Sequence, residues 1–260
     1  MKNQGKRSFA TPSKASLRMT GALLASLFIL SCASKKGEII PPEQVDLNRG
    51  KEFQQAGRYE LAIEQFSQIK HKYPLSPAAT EAELELAETL FLQGSYIEAQ
   101  AAFETFRDLH PTHPKVDFAA FQTGMSYFNQ IPSTIDRDLT PAIETIKALN
   151  EFIEIYPKST YVSEAEEKKE LCRKKLAEKE LYIADFYLKR EHYRAAERRL
   201  KTVLRQYRNL GFDEKALFQL GFCYYHLKNK NKAKRVLTRL REKFPQSPFS
   251  DDAKKILKDL

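Results

Sequence analysis

Gly57-x-Tyr59-x-x-Ala62-x-x-x-Phe66, followed by Pro74, returns thirty-seven residues later as Gly94-x-Tyr96-x-x-Ala99-x-x-x-Phe103, followed by Pro111. Every marked position keeps its spacing. A unit this short cannot bury an apolar face alone, so it must stack on copies of itself, and the period therefore predicts a solenoid. Between the marked residues, apolar side chains recur every three or four positions, and glycine is scarce, with 9 in 260 residues. That period is helical and gives strands no support. The expected fold class is all-α, an α-solenoid of paired helices.

The residue types in the unit have physical reasons. Helices packed about 8–10 Å apart leave room only for a small side chain where they cross. Ala62 and Ala99 on the second helices, and Gly50 and Ala87 on the first, are expected at those crossings. Phe66 and Phe103, one turn on, are expected to fill the wider space beside them, and Pro74 and Pro111 to end the second helices. The same frame fits Ala184, Tyr187, Tyr193, Ala196 and Leu200, and then Gly221, Tyr224, Ala233, Leu237 and Pro245. A further unit lies between these pairs, with Gly124 and Tyr127 on its first helix and Leu149, Phe152 and Pro157 on its second. Its turn is stretched by residues 129–141, which reads either as a binding insertion or as a tolerated loop. The pattern resembles the tetratricopeptide repeat, whose two antiparallel helices use small residues where they cross and a proline at the end of the second helix.

The organisation that follows places a lipoprotein signal peptide at residues 1–31 and a lipidated tether at 32–42. Repeats 1–3 occupy 43–162, and a bridging helix, repeats 4–5 and a capping helix occupy 163–260. The bridge, Ser163 to Arg190, is dense in charge through Glu166, Glu167, Lys168, Lys169, Arg173, Lys174 and Lys175, and is expected to hold these in solvent. Asp251 to Leu260 is polar and lysine-rich, suiting the cap a solenoid end requires.

The first thirty-two residues have three zones. Lys2, Lys6, Arg7, Lys14 and Arg18 make a basic start without acidic residues, and Met19 to Leu30 is a nearly unbroken apolar run. At about twelve residues the run suits a secretory signal and falls short of the roughly twenty that span a bilayer. It ends in Ile29-Leu30-Ser31-Cys32, which resembles the lipobox of bacterial lipoproteins, with Leu30 larger than the usual residue there. Cys32 is accordingly the expected lipidation site, and Ala33 after it resembles lipoproteins sorted to the outer membrane. Cleavage before Cys32 takes five basic residues away and lowers the formal charge from +9 to +4. Residues 32–188 then hold 18 basic and 26 acidic residues, against 20 and 8 in 189–260. That asymmetry can steer an acidic partner to the end of the molecule, or be a solvated helical surface. With Cys172 and Cys223 as the only other cysteines, there is no disulfide framework. The two can pair in an oxidising compartment, though each falls where the helical pattern calls for a small buried residue.

Chemistry is absent from the motifs. His110-Pro-Thr-His113 straddles a proline, lacks the glutamate of a helical H-E-x-x-H, and reads as an inter-repeat turn. His71, His192 and His226 stand singly. Neither a nucleophile elbow nor a phosphate-cradling glycine loop occurs. No catalytic residue, no metal site, and no cofactor beyond a lipid on Cys32 is expected. The basic end with Tyr207, Tyr224 and Tyr225 suits nucleic acid in isolation, but a chain exported to a membrane does not usually meet any.

His110-Pro-Thr-His-Pro-Lys-Val-Asp117-Phe, Gly124, Asp136-Arg137-Asp138 and Tyr156-Pro157-x-Ser159-x-Tyr161 follow one another in an order that resembles the BamD lipoproteins of the outer-membrane β-barrel assembly machinery. Tyr182 to Tyr187 and Arg199 continue the resemblance. It implies five tetratricopeptide repeats on the periplasmic face of the outer membrane, held there by a lipid anchor. It also implies that the C-terminal repeats dock on a POTRA domain of the barrel insertase and that the N-terminal repeats meet unfolded barrel proteins. Arg199 matches a family arginine at the insertase contact; a solvated helix charge is the alternative. The competing reading of the whole chain is another periplasmic repeat lipoprotein, serving cell-wall synthesis or pilus assembly.

Overall fold

The computed structural model describes residues 40–260; the signal segment, Cys32 and most of the tether lie outside the described residues. Among the described residues there are eleven helices and no strand. α1 (Pro42–Gln55) pairs with α2 (Tyr59–Lys72), α3 (Pro77–Gln93) with α4 (Tyr96–Leu109), and α5 (Val116–Asn129) with α6 (Thr140–Ile155). α7 (Val162–Lys189) pairs with α8 (Tyr193–Gln206), α9 (Asp213–His226) with α10 (Lys230–Lys243), and α11 (Ser250–Asp259) covers the last pair. The result is five helical hairpins and a cap, each element packing chiefly on its neighbours in the chain.

Four of the five hairpin turns are built alike. At the ends of α1, α3, α7 and α9, the backbone N–H groups of Arg58, Ser95, His192 and Asn229 donate to the carbonyls of Phe53, Leu90, Tyr187 and Tyr224, five residues back. The residue before each donor is left-handed: Gly57 at φ 69°, Gly94 at 90°, Glu191 at 59° and Lys228 at 58°. This arrangement satisfies carbonyls that a helix end would otherwise orphan, and glycine adopts it without a Cβ clash. Repeats 4 and 5 keep the geometry without the glycine.

Inside each hairpin the crossing joins a small residue on the first helix to a large one on the second. A Cβ added to Gly50 would lie 2.4 Å from Phe66 Cε1. At Gly124 it would meet Leu149 Cδ2 at 2.3 Å, and at Gly221 it would meet Leu237 Cδ2 at 2.3 Å. Ala87 and Ala184 take the same place opposite Phe103 and Leu200, all fully buried. The structure therefore differs from the expectation that Phe66 fills wider space beside the crossing: its ring stands in the notch left by Gly50. Ala62, Ala99, Ala196 and Ala233 are also fully buried, one turn before those large residues. Burying a phenylalanine or leucine side chain stabilises by about 1.5–3 kcal/mol, so one such contact per hairpin holds each unit closed. Pro74, Pro111, Pro157 and Pro245 each lie two residues beyond the last residue of α2, α4, α6 and α10.

α7 is the long element, 28 residues and about 42 Å at 1.5 Å per residue. Its charge is only partly a solvated face. Lys169 pairs with Glu166 at 3.0 Å and Arg173 with Glu170 at 3.0 Å along the helix surface. Lys175, by contrast, donates to the carbonyls of Pro132 and Ser133, and Lys179 to that of Arg137. These bonds strap the stretched turn, residues 130–139, onto α7. Leu139 and Ala142 bury beneath the strap against Cys172 and Leu176.

Candidate functional site in the concave groove

On the first-helix side α1 touches α3, α5 touches α7, and the capping α11 touches α9. The stack therefore closes on its first-helix side, and that side is the concave face on which solenoids present extended binding surfaces. In the first three repeats the face is lined by α1, α3, α5 and the start of α7.

A charged network fills its early part. Lys51 of α1 lies 3.2 Å from Glu81 and 3.0 Å from Glu85, and Lys115, just before α5, lies 3.1 Å from the same Glu81. The Gln54 amide donates to Thr89 Oγ1 at 2.9 Å and to Glu85 Oε2 at 3.3 Å. Lys51 and Lys115 hold the Glu81 carboxyl below its usual range against the opposing effect of burial, which is the largest single influence on it. Glu88, one turn beyond Glu85, has its carboxyl raised by burial first and by the Glu85 charge second. Spacings of four and three residues place all three carboxylates on one stripe of α3. In sequence that stripe looks like any solvated acidic face.

The proline-histidine segment and the Tyr156-Pro157 segment converge beside this network. Asp117 Oδ2 accepts from the Ser159 hydroxyl at 2.7 Å, and Asp117 Oδ1 accepts from the Phe118 backbone N–H at 2.8 Å. The Tyr161 ring stacks on Phe121, with centroids 4.9 Å apart and planes 12° apart, and contacts Phe118 at 5.7 Å. His110 is held by Glu83, Nε2 to Oε2 at 2.7 Å, and both its ring and that of His113 lie against Phe106. No group of three or more metal-ligating side chains occurs among the described residues.

Arg199, on α8, reaches back to Glu180 of α7 at 3.2 Å and remains partly exposed. Tyr182 and Phe186 are exposed on the same α7, and the Arg190 guanidinium lies 3.8 Å from the Phe186 ring centroid. Cys172 and Cys223 are free and buried in separate parts of the core, where burial pushes their thiols up to about 11 and about 12. Among the described residues no helix is long and apolar enough to cross a membrane.

Five hairpins with notched crossings, prolines after four of the second helices, and a groove of charged and aromatic side chains define a tetratricopeptide α-solenoid. Residues 45–240 match the family model described as YfiO, outer membrane lipoprotein, and the chain belongs to that family. It is 29% identical over 203 residues to the outer membrane protein assembly factor BamD of Neisseria gonorrhoeae, covering 75% of this chain and 76% of that one. It is 28% identical over 243 residues to the BamD of Rickettsia prowazekii, covering 93% and 96%. To the BamD of Caulobacter vibrioides it is 27% identical, covering 92% and 79%.

Proposed function

We propose that this chain is a non-enzymatic scaffold of outer-membrane β-barrel assembly, lipid-anchored through Cys32 on the periplasmic face of the outer membrane. Membership of the outer membrane lipoprotein family, with similarity to assembly factors over most of the chain, is the observation that carries the reading. A lipid on Cys32 supplies the attachment, and several acyl chains hold far more firmly than one. The C-terminal repeats dock on a POTRA domain of the insertase, with Arg199 at the contact. The N-terminal repeats offer their concave groove to unfolded barrel segments, for which an open, partly apolar surface between rigid helices is suited. No cofactor takes part. Pull-down of the chain from solubilised membranes should recover a barrel insertase, and recovery of cell-wall or pilus assembly proteins in its place would overturn the reading.

A further inference from the structure

Glu88 is the one member of the α3 acidic stripe with nothing bonded to it. Lys51 and Lys115 are engaged with Glu81 and Glu85, and the Gln54 amide takes another oxygen of Glu85. The surroundings of Glu88 act on its charge through burial and at a distance, without a hydrogen-bond donor. Its carboxylate instead borders a cavity of about 360 Å³, walled by Phe118, Tyr161, Pro114 and Thr160. Lys115 and Asp117 also reach this cavity, but Lys115 is bonded to Glu81, and Asp117 accepts from Ser159 and the Phe118 N–H. The two rings are fixed in place, Tyr161 by stacking on Phe121 and Phe118 by an edge contact with Phe103. A partly buried carboxylate beside fixed aromatic faces is complementary to a cation on an apolar stem.

A second cavity of about 420 Å³ shares Pro114 and Asp117 with the first and is otherwise walled by Val116, Ile155, Tyr156 and Pro157, with Lys158 and Ser159 of the turn into α7 at its border. An occupant that fills both carries a cation next to an apolar group, which is the chemistry of a polypeptide and not of a free metal ion. In an extended chain, side chains two residues apart emerge on the same side about 6.6–6.8 Å apart.

We propose that the Glu88 cavity receives a lysine or arginine side chain from an extended polypeptide lying in the concave groove, with an apolar side chain of the same segment seated in the neighbouring cavity. This rests on reading the groove as a polypeptide site. The test uses the full chain and two capped decapeptides rich in serine and threonine, each with a leucine two residues after the variable position. One peptide carries arginine there and the other its neutral isostere citrulline. The arginine peptide should bind about tenfold tighter, a difference of about 1.4 kcal/mol. E88Q should bring the two within about twofold while melting at the same temperature as the parent, and E88K should prefer the citrulline peptide. Equal affinities for the parent chain, or an arginine preference that survives E88Q, would overturn the proposal. Loss of barrel proteins on depletion of the chain reads the assembly role separately, so a depletion phenotype without arginine preference removes this inference alone.

Discussion

The Ser159 hydroxyl donates a 2.7 Å hydrogen bond to Asp117 Oδ2, joining the turn before α7 to the first turn of α5, 42 residues away in the chain. Asp117 also accepts the Phe118 N–H at the start of α5, so one carboxylate fixes a helix start and the entry to α7 together. Ser159→Ala should cost about 1.5–3 kcal/mol, the usual range for a hydrogen bond to a charged acceptor. For a chain of this size that lowers the melting temperature by roughly 3–12 °C. A melting temperature unchanged from the parent would show that the turns are held by packing alone.

Gly124→Ala places a methyl 2.3 Å from Leu149 Cδ2. Overpacking of this kind typically costs about 1–3 kcal/mol, whereas Leu149→Ala alone should cost about 2–5 kcal/mol through the cavity it leaves. The double variant should cost less than the sum of the two, because the new methyl enters the space the leucine vacated. Chemical denaturation of all four chains checks this, and simple additivity would deny the notch.

Lys228 holds φ 58° in a turn where the equivalent residues of the first two repeats are glycines. Left-handed backbone costs a side chain about 1–2 kcal/mol, partly offset by the greater freedom glycine has when unfolded. Lys228→Gly should therefore stabilise by up to about 1 kcal/mol, seen as a higher denaturation midpoint with an unchanged slope. An unchanged or lower midpoint would contradict the account of this turn.

The same turn shows how far the sequence can be read. The paired-helix solenoid was legible because Gly57, Tyr59, Ala62 and Phe66 recur at fixed spacing, and packing at a helix crossing admits few alternatives. Glu191 and Lys228 were invisible as turn residues, since backbone hydrogen bonds impose their conformation and side-chain chemistry does not. On α6 the position equivalent to Ala62 is Thr145, which is fully buried and bonds the Pro141 carbonyl at 2.8 Å. A hydroxyl that satisfies itself within its own helix passes for a small residue, and a pattern of alanines misses it. In the groove, the proline-histidine segment is legible through a family resemblance, but the bond from Ser159 to Asp117 needs the fold. Glu88 carried no signal at all, because an acidic stripe on a helix is the ordinary composition of a solvated face.

Arg199 and Glu180 give a test of the C-terminal surface that separates a direct contact from an internal one. If Arg199 meets the insertase, Arg199→Glu should weaken co-purification at least tenfold with the helical signal intact. Glu180→Gln, which removes the 3.2 Å pair but keeps the arginine, should leave co-purification within about twofold. Equal losses from both changes would assign Arg199 to holding α8 against α7.

The most direct test of the assembly role is to deplete the chain and measure folded β-barrel proteins in the outer membrane by heat-modifiable gel migration. The account predicts that several unrelated barrels fall together, that unfolded forms accumulate in the periplasm, and that a Cys32→Ser chain restores them poorly. Normal levels of folded barrels after depletion would contradict it.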